Sequence, residues 1–218
     1  MLRPIYLQPG DKVALISPSG VATKEQLDAA CSLLTSWELE PVPGQHVLSR
    51  HGRLAGTDEE RLHDLQTALD AEDIRAIWCM AGDYGMLRIV QKADYSIFQG
   101  NPKWMIGMND ITVLHAKLHS LGIESLHAFM PSDYNTTSPE VVTQLRNFLF
   151  GIISSYAIPA HPFNRPGIVE TEMIGGMLQW VYSLHNTCIE RNTKGTILFI
   201  EDPSNDLYEI DRNVKCMK

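Results

Sequence analysis

Short apolar runs alternate with amphipathic patterns along the first two thirds of the chain. Each run is three to six residues long and is followed by polar or turn-forming residues, as is typical of buried strands. Between the runs, apolar residues recur every three or four positions, which is the period of an amphipathic helix. The strands predicted in this way are 12–17, 74–79, 104–106 and 125–130.

Helix starts are marked by capping signals. Thr23 stands three residues before Gln26, and Thr57 stands three residues before Glu60, which is the signature of a capping box. Further helices are predicted over 87–90, 111–121 and 139–150. Strands that alternate with helices at this spacing predict an α/β fold, with a doubly wound, mainly parallel sheet and helices on both faces.

The composition of the chain changes after the helix at 139–150. A proline-rich stretch follows, which indicates a linker. We predict a Rossmann-like N-terminal domain over 1–152, a linker over 153–168 and an incomplete C-terminal domain over 169–218. In the last part we expect a Gly175–Gly176 loop, a helix over 177–184, a strand over 196–200 and a final helix from 208 onward.

The part after the linker is only about fifty residues long, below the size at which a lone core is usually stable. We therefore expect it to dock on the first domain, to pair with a second subunit or to belong to a longer product. Because no glycine or proline stop follows the pattern at 208–218, we expect the chain to be a truncated form.

Composition narrows the classes of partner. A formal net charge of −8 argues against nucleic acid, because binding to phosphates needs concentrated Lys and Arg. No apolar run approaches the roughly 18 residues of a membrane span, and the first residues lack the apolar core of a signal peptide. The four cysteines are scattered without a CxxC pair, which favours reduced thiols and a cytoplasmic location. A small molecule or a peptide is the expected ligand.

The segment Gly107–Thr112 carries the strongest chemical signal. It follows the apolar run at 104–106 and opens a helical pattern, which is the layout of a nucleophile elbow. The raised residue of such a turn is usually serine or cysteine, but here it is Asn109, whose amide is no nucleophile at neutral pH. The alternative is an ordinary turn, since asparagine tolerates positive φ. The loops near Ser19 and over 82–85 are expected at the same edge of the sheet.

Six ordered segments resemble the LD-carboxypeptidases, a family of serine peptidases that includes muramoyl-tetrapeptide carboxypeptidases and microcin C immunity proteins. They are GDKVALISPSG, AIWCMAGDYGMLR, KWMIGMNDITVLH, LHAFM, IGGMLQWVYSLHNT and ILFIEDPSNDLYEIDR. The resemblance implies acyl transfer to a serine by a Ser-His-Glu triad, which releases a terminal D-alanine from cytoplasmic muropeptides. It also implies a homodimer, with no cofactor and no metal.

The resemblance assigns site residues one by one. Asn109 takes the position of the nucleophile and Glu201 that of the acid that orients the base. The oxyanion hole would be formed by the backbone N–H groups of Asp110 and Asp83. The substrate-binding positions implied by the same match are Ser19, Gly82, Tyr84, Met130, Gly175 and Gly176.

Departures from the family pattern gather around this site. Ala81 replaces an arginine, Asp83 a glycine and Asn109 the serine, while the histidine of the family lies past the point where this chain stops. We therefore expect a peptidase of LD-carboxypeptidase type that is inactive as written. The alternatives are a non-catalytic module that binds muropeptides and a peptidase that acts on an aminoacyl-nucleotide toxin.

Three further residues have ordinary interpretations as well. Glu201 could be a solvated strand-end carboxylate, and His127 is more simply a structural histidine than a site residue. His115 and His119 are four residues apart on one helix, a spacing that can bind zinc. The helix lacks the glutamate of an HExxH motif and no third ligand is evident, so we expect no metal there.

Overall fold

The first part of the chain forms a five-stranded parallel sheet in the order β2-β1-β3-β4-β5. The structure is a computed structural model that describes residues 1–153, 155–190, 192–203 and 206–217. The strands of this sheet are β1 Lys12–Ile16, β2 Glu40–Pro43, β3 Ile74–Cys79, β4 Trp104–Gly107 and β5 Leu126–His127. The helices that connect and follow them are α1 Lys24–Ser36, α2 Asp58–Asp70, α3 Met86–Ile89, α4 Ser96–Gly100, α5 Ile111–Ser120 and α6 Pro139–Leu149. The α/β prediction is confirmed.

Side chains of the central strands alternate between two buried cores. On β1, Ala14 and Ile16 belong to one apolar cluster, while Val13 and Leu15 belong to the other. The first cluster includes residues of α2 and α5, and the second includes residues of α1 and α6. A strand buried on both faces reads as a continuous apolar run, which is why the pattern at 12–17 was informative.

Both predicted capping boxes are present. The Thr23 side chain accepts from the Gln26 N–H and the Gln26 side chain accepts from the Thr23 N–H, at the start of α1. Thr57 and Glu60 make the same exchange at the start of α2. These local bonds fix where each helix begins, since they satisfy N–H groups that the helix itself leaves free.

Three elements of the first part of the chain differ from the sequence-based prediction. The strand expected over 125–130 covers only Leu126–His127, because the chain leaves the sheet and Pro131 opens a 3-10 helix. The pattern did not predict β2, which contains Pro41 and Pro43. Proline is tolerated there because β2 is an edge strand. The short helix α4 was also missed.

The segment Gly175–Gly176 is not a loop as predicted but lies inside a strand. A second, two-stranded parallel sheet pairs β6 Met173–Met177 with β7 Ile197–Glu201. A Cβ on Gly175 would stand 1.8 Å from the Phe199 carbonyl oxygen, and one on Gly176 would stand 2.5 Å from Thr112 Oγ1. The glycines therefore serve close packing and positive φ, of 132° and 141°, rather than a turn.

The C-terminal part packs against the first sheet's helix α5. It comprises the second sheet and the helices α7 Leu178–Ser183 and α8 Leu207–Cys216. The Met177 N–H donates to Thr112 Oγ1 at 3.2 Å, which joins the end of β6 to the first turn of α5. The described residues of 153–168 form no helix or strand. The domain limits at 152 and 168 stay predictions. No helix of the described chain is long and apolar enough to cross a membrane.

Candidate active site

Asn109 occupies a strained turn between a strand and a helix. β4 ends at Gly107, α5 begins at Ile111, and Asn109 between them has a φ of 61°. The loop after β3 lies directly against this turn, because a Cβ on Gly82 would stand 2.6 Å from Asn109 Cβ. The turn therefore has the strand-to-helix layout and the left-handed residue of an elbow.

The Asn109 amide is held by a hydrogen bond from α7. Trp180 Nε1 donates to Asn109 Oδ1 at 3.1 Å. The Trp180 ring is buried and stacks on Tyr84, with ring centroids 6.2 Å apart and planes 21° apart. A serine hydroxyl, which is shorter than this amide, would need the indole to move to keep the contact. The position of the Trp180 indole N–H therefore suits an asparagine rather than a serine at position 109.

Three loops converge at the carboxyl ends of β1, β3 and β4. The Gly20 N–H donates to the Gly82 carbonyl at 2.7 Å, which joins the first two loops. Ser19 Oγ donates to Asp110 Oδ2 at 2.7 Å, which joins the first loop to the elbow. In a sheet of this order the loops after β1 and β3 flank the switch point, where ligands of open α/β sheets bind.

The Asp110 carboxylate is buried beneath these loops. Its Oδ2 accepts from Ser19 Oγ and from the Met86 N–H, the latter at 3.0 Å. Its Oδ1 has no hydrogen-bond partner among the described residues. Burial outweighs the two hydrogen bonds and raises the pKa of Asp110 to about 6. Asp110 is therefore a titratable residue within the scaffold of the site.

A cleft of about 450 Å³ opens above the elbow. Gly82, Asp83, Asn109 and Met130, all predicted from the sequence, line it. Within the described chain, neither the Asp110 nor the Asp83 backbone N–H donates a hydrogen bond to another backbone group. The oxyanion-hole assignment of these two groups stays a prediction.

Two arginines that sequence reasoning missed also line the cleft. They are Arg50 and Arg53, from the loop before α2. Arg53 Nη2 lies 3.2 Å and 3.0 Å from the two carboxylate oxygens of Asp83. Ala81, where the family carries an arginine, lines the same cleft. The only sequence signal was two arginines three residues apart beside a glycine, which matches no motif.

The other predicted binding positions do not line this cleft. Ser19 is fully buried against Asp110, and Tyr84 stacks on Trp180. Gly175 lines a separate, larger cavity of about 1160 Å³, and Gly176 packs on Thr112. Substrate contact by these four residues stays a prediction.

Glu201 pairs with a histidine that the sequence analysis had set aside. His127 Nε2 lies 2.7 Å from Glu201 Oε1, with the Phe199 ring 5.5 Å from the imidazole. Glu201 is thus engaged at the end of β7 rather than simply solvated. His127 lines the larger cavity, whereas Asn109 lines the cleft. Within the described residues, no hydrogen bond connects Asn109 to the His127–Glu201 pair.

His115 has a structural role. Its Nδ1 lies 2.8 Å from Ser125 Oγ and its Nε2 lies 2.9 Å from the Gly107 carbonyl oxygen. Burial lowers the pKa of His115 to about 4, so the ring is neutral at pH 7. With both nitrogens engaged, His115 holds the end of β4 in place beneath the elbow. It leaves no free nitrogen for a metal shared with His119.

Comparison with known proteins finds family models that match both parts of the chain. The model of the LD-carboxypeptidase N-terminal domain matches residues 13–128, and that of the LD-carboxypeptidase C-terminal domain matches residues 170–218. A relative from Bacillus subtilis, described as a probable murein peptide carboxypeptidase, is 32% identical over 222 residues, covering 99% of this chain and 70% of its own.

A second relative and a solved structure agree with the match to the family models. The murein tetrapeptide carboxypeptidase of Pseudomonas aeruginosa is 29% identical over 219 residues, covering 95% of this chain and 71% of that protein. The crystal structure of a muramoyltetrapeptide carboxypeptidase from Oxalobacter formigenes superposes with a TM-score of 0.83 at 24% identity, covering 94% of this chain and 70% of the other. The structural likeness supports the same fold.

Proposed function

We propose, since the chain belongs to the LD-carboxypeptidase family, that its cleft binds a short peptide of the muropeptide type without hydrolysing it. The observation that carries this proposal is Asn109, with a φ of 61° at the turn between β4 and α5. A side-chain amide cannot attack a carbonyl carbon and cannot form an acyl intermediate. Binding can persist because the loops around the turn still line a cleft.

The surroundings of Asn109 support the absence of turnover. A hydrolase of this type needs a nucleophile with a base in hydrogen-bond reach. The Asn109 amide instead accepts from Trp180, and His127, the partner of Glu201, lines a different cavity. Within the described chain, no imidazole or carboxylate is hydrogen-bonded to the Asn109 side chain.

The lining of the cleft supports an anionic peptide as the ligand. Its rim carries Asp83 and Asp133 as well as Arg50 and Arg53. Arg53 is paired with Asp83, whereas Arg50 forms no ion pair with the described residues. A guanidinium binds a carboxylate through two parallel hydrogen bonds, and a peptide's C-terminal carboxylate is such a partner. Met108 and Met130 add apolar surface for side chains. The volume of about 450 Å³ falls in the usual range for small-ligand sites.

Calorimetry with an intact cell-wall tetrapeptide tests binding, and an assay for released D-alanine tests turnover. We expect saturable binding without D-alanine release. Arg50→Ala should weaken binding, whereas Arg165→Ala, which removes an exposed arginine from the linker, should not. The absence of binding at millimolar peptide would refute the ligand assignment, and catalytic release of D-alanine would refute the role given to Asn109.

The same calorimetric experiment also tests the alternative ligand, an aminoacyl nucleotide. An aminoacyl sulfamoyl nucleoside, used as a stable probe, competes with the tetrapeptide only if the cleft accepts an aminoacyl nucleotide. We expect the tetrapeptide to bind more tightly, because the Arg50 guanidinium at the rim can bind its carboxylate. We also propose a cytoplasmic homodimer, as the family resemblance implied. Sedimentation velocity of the purified chain measures the dimer directly.

A further inference from the structure

A cluster of metal-ligating side chains lies outside the candidate active site. It comprises His46, from the loop between β2 and α2, and His63 and Asp64, from α2. One ligand atom from each of the three residues lies within 4.8 Å of the other two. We infer that these three residues form a binding site for a divalent transition metal ion of the zinc type, which ties the loop to the helix.

The Asp64 carboxylate is fixed in place by the backbone around it. Asp64 is buried, and its Oδ2 accepts from the His46 N–H at 2.8 Å. A Cβ on Gly44 would stand only 2.4 Å from the same oxygen, so the glycine makes room for the carboxylate. The second oxygen, Oδ1, lies 3.4 Å from His63 Nδ1. One oxygen is thus held by the loop while the other faces an imidazole.

The two imidazoles lie edge to face. Their ring centroids are 5.4 Å apart, with an interplanar angle of 82°. The His63 side chain is 54% exposed and that of His46 is 22% exposed, so both rings can rotate toward an ion. Bonds of about 2.05 Å in a tetrahedral site place ligand atoms about 3.3 Å apart. The ligand atoms now lie within 4.8 Å of one another, and small side-chain rotations would bring them to the tetrahedral spacing.

Glu60 lies close enough to His46 to become the outer contact that metal-binding histidines usually have. Its Oε1 lies 3.7 Å from His46 Nδ1, while its Oε2 accepts from the Thr57 N–H at 2.8 Å in the capping box. A carboxylate beside one ring nitrogen fixes the tautomer, so that the other nitrogen binds the metal. Two imidazoles and a carboxylate suit Zn²⁺, Co²⁺ or Ni²⁺ rather than Ca²⁺ or Mg²⁺.

The metal would stabilise the scaffold behind the cleft. α2 also carries Arg61, whose Nη1 donates to the Pro18 carbonyl at 2.6 Å and the Gly85 carbonyl at 3.0 Å. These carbonyls belong to the loops after β1 and β3 that flank the elbow. An ion that fixes α2 against the β2–α2 loop therefore strengthens the support of both loops. From the sequence we expected no metal, having considered only His115 and His119 as ligands.

Titration of the untagged protein with Zn²⁺ against a chromophoric chelator tests the inference. We expect one tight site per chain. His63→Ala, which removes a half-exposed side chain, should weaken Zn²⁺ binding more than about a hundredfold, since even an outer contact contributes 10–100-fold. His161→Ala is the matched control, because it removes an exposed histidine from the linker. Its affinity should equal that of the unmodified chain.

Two further readouts do not depend on catalysis. Co²⁺ should give visible absorption bands from imidazole ligation, and these should be lost in His63→Ala. Zn²⁺ should raise the Tm of the unmodified chain and of His161→Ala but not that of His63→Ala. The inference is overturned if the unmodified chain binds no Zn²⁺, or if His63→Ala and His46→Ala both bind it as tightly as the unmodified chain.

Discussion

Replacing Asp110 with asparagine should change how the stability of the protein depends on pH. The side chain is buried below the elbow, and its Oδ2 accepts from Ser19 and from the Met86 N–H. Asparagine retains an acceptor oxygen for these donors and removes the charge. Because burial raises the pKa of Asp110 from 3.8 to about 6, the folded state favours the protonated acid.

The sign and the size of the change in the free energy of unfolding follow from this shift in the pKa of Asp110. Between pH 3.8 and about 6 the folded chain holds a proton that the unfolded chain has released. The stabilisation is therefore complete below pH 3.8 and is lost as the pH rises through 6. A shift of about two units corresponds to about 3 kcal/mol in total, of which about 2 kcal/mol falls between pH 4.5 and 7.5.

Urea unfolding of both proteins at several pH values measures this effect. The free energy of unfolding of Asp110→Asn, minus that of the unmodified chain, should increase by about 2 kcal/mol from pH 4.5 to 7.5. Asp94→Asn serves as a control without a pH-dependent effect in this range: hydrogen bonds from Ser96 hold the pKa of Asp94 below its usual range, so this carboxylate is ionised in both the folded and the unfolded chain above pH 4.5. A difference for Asp110→Asn that does not change with pH would refute the reasoning.

Three other changes have defined outcomes. Gly176→Ala should lower the free energy of unfolding by about 1–3 kcal/mol in urea titrations, since its new Cβ would stand 2.5 Å from Thr112 Oγ1 at a positive φ. Thr57→Ala removes the cap of α2 and should lower the free energy of unfolding by about 1 kcal/mol. Asn109→Ser should release no D-alanine, because no base is hydrogen-bonded at that position in the described chain; turnover by this variant would show that a base is in reach.

Most of the first sheet could be predicted because its signals are local. Strands buried on both faces read as apolar runs, and the Thr23 and Thr57 boxes each need only four consecutive residues. The elements that were missed depend on distant partners. β2 contains two prolines and is a strand only because β1 pairs with one of its edges.

The candidate site also has features that could be predicted from the sequence and features that could not. The elbow could be found from residues 107–112, since strand, turn and helix follow one another there. The partners of its side chains could not be found. Trp180 reaches Asn109 from 71 positions away, and His127 reaches Glu201 from 74. The Gly175–Gly176 error has the same origin, since only the Phe199 backbone and Thr112 explain the glycines.

We propose that this cleft binds a peptide without cutting it, because the family resemblance assigns Asn109 to the position of the nucleophile. The most direct test is prolonged incubation of the purified chain with the cell-wall tetrapeptide, followed by quantification of free D-alanine and of intact peptide. The account predicts that D-alanine stays at the level of the enzyme-free blank while calorimetry of the same sample shows saturable binding. Release of many equivalents of D-alanine per chain would contradict it.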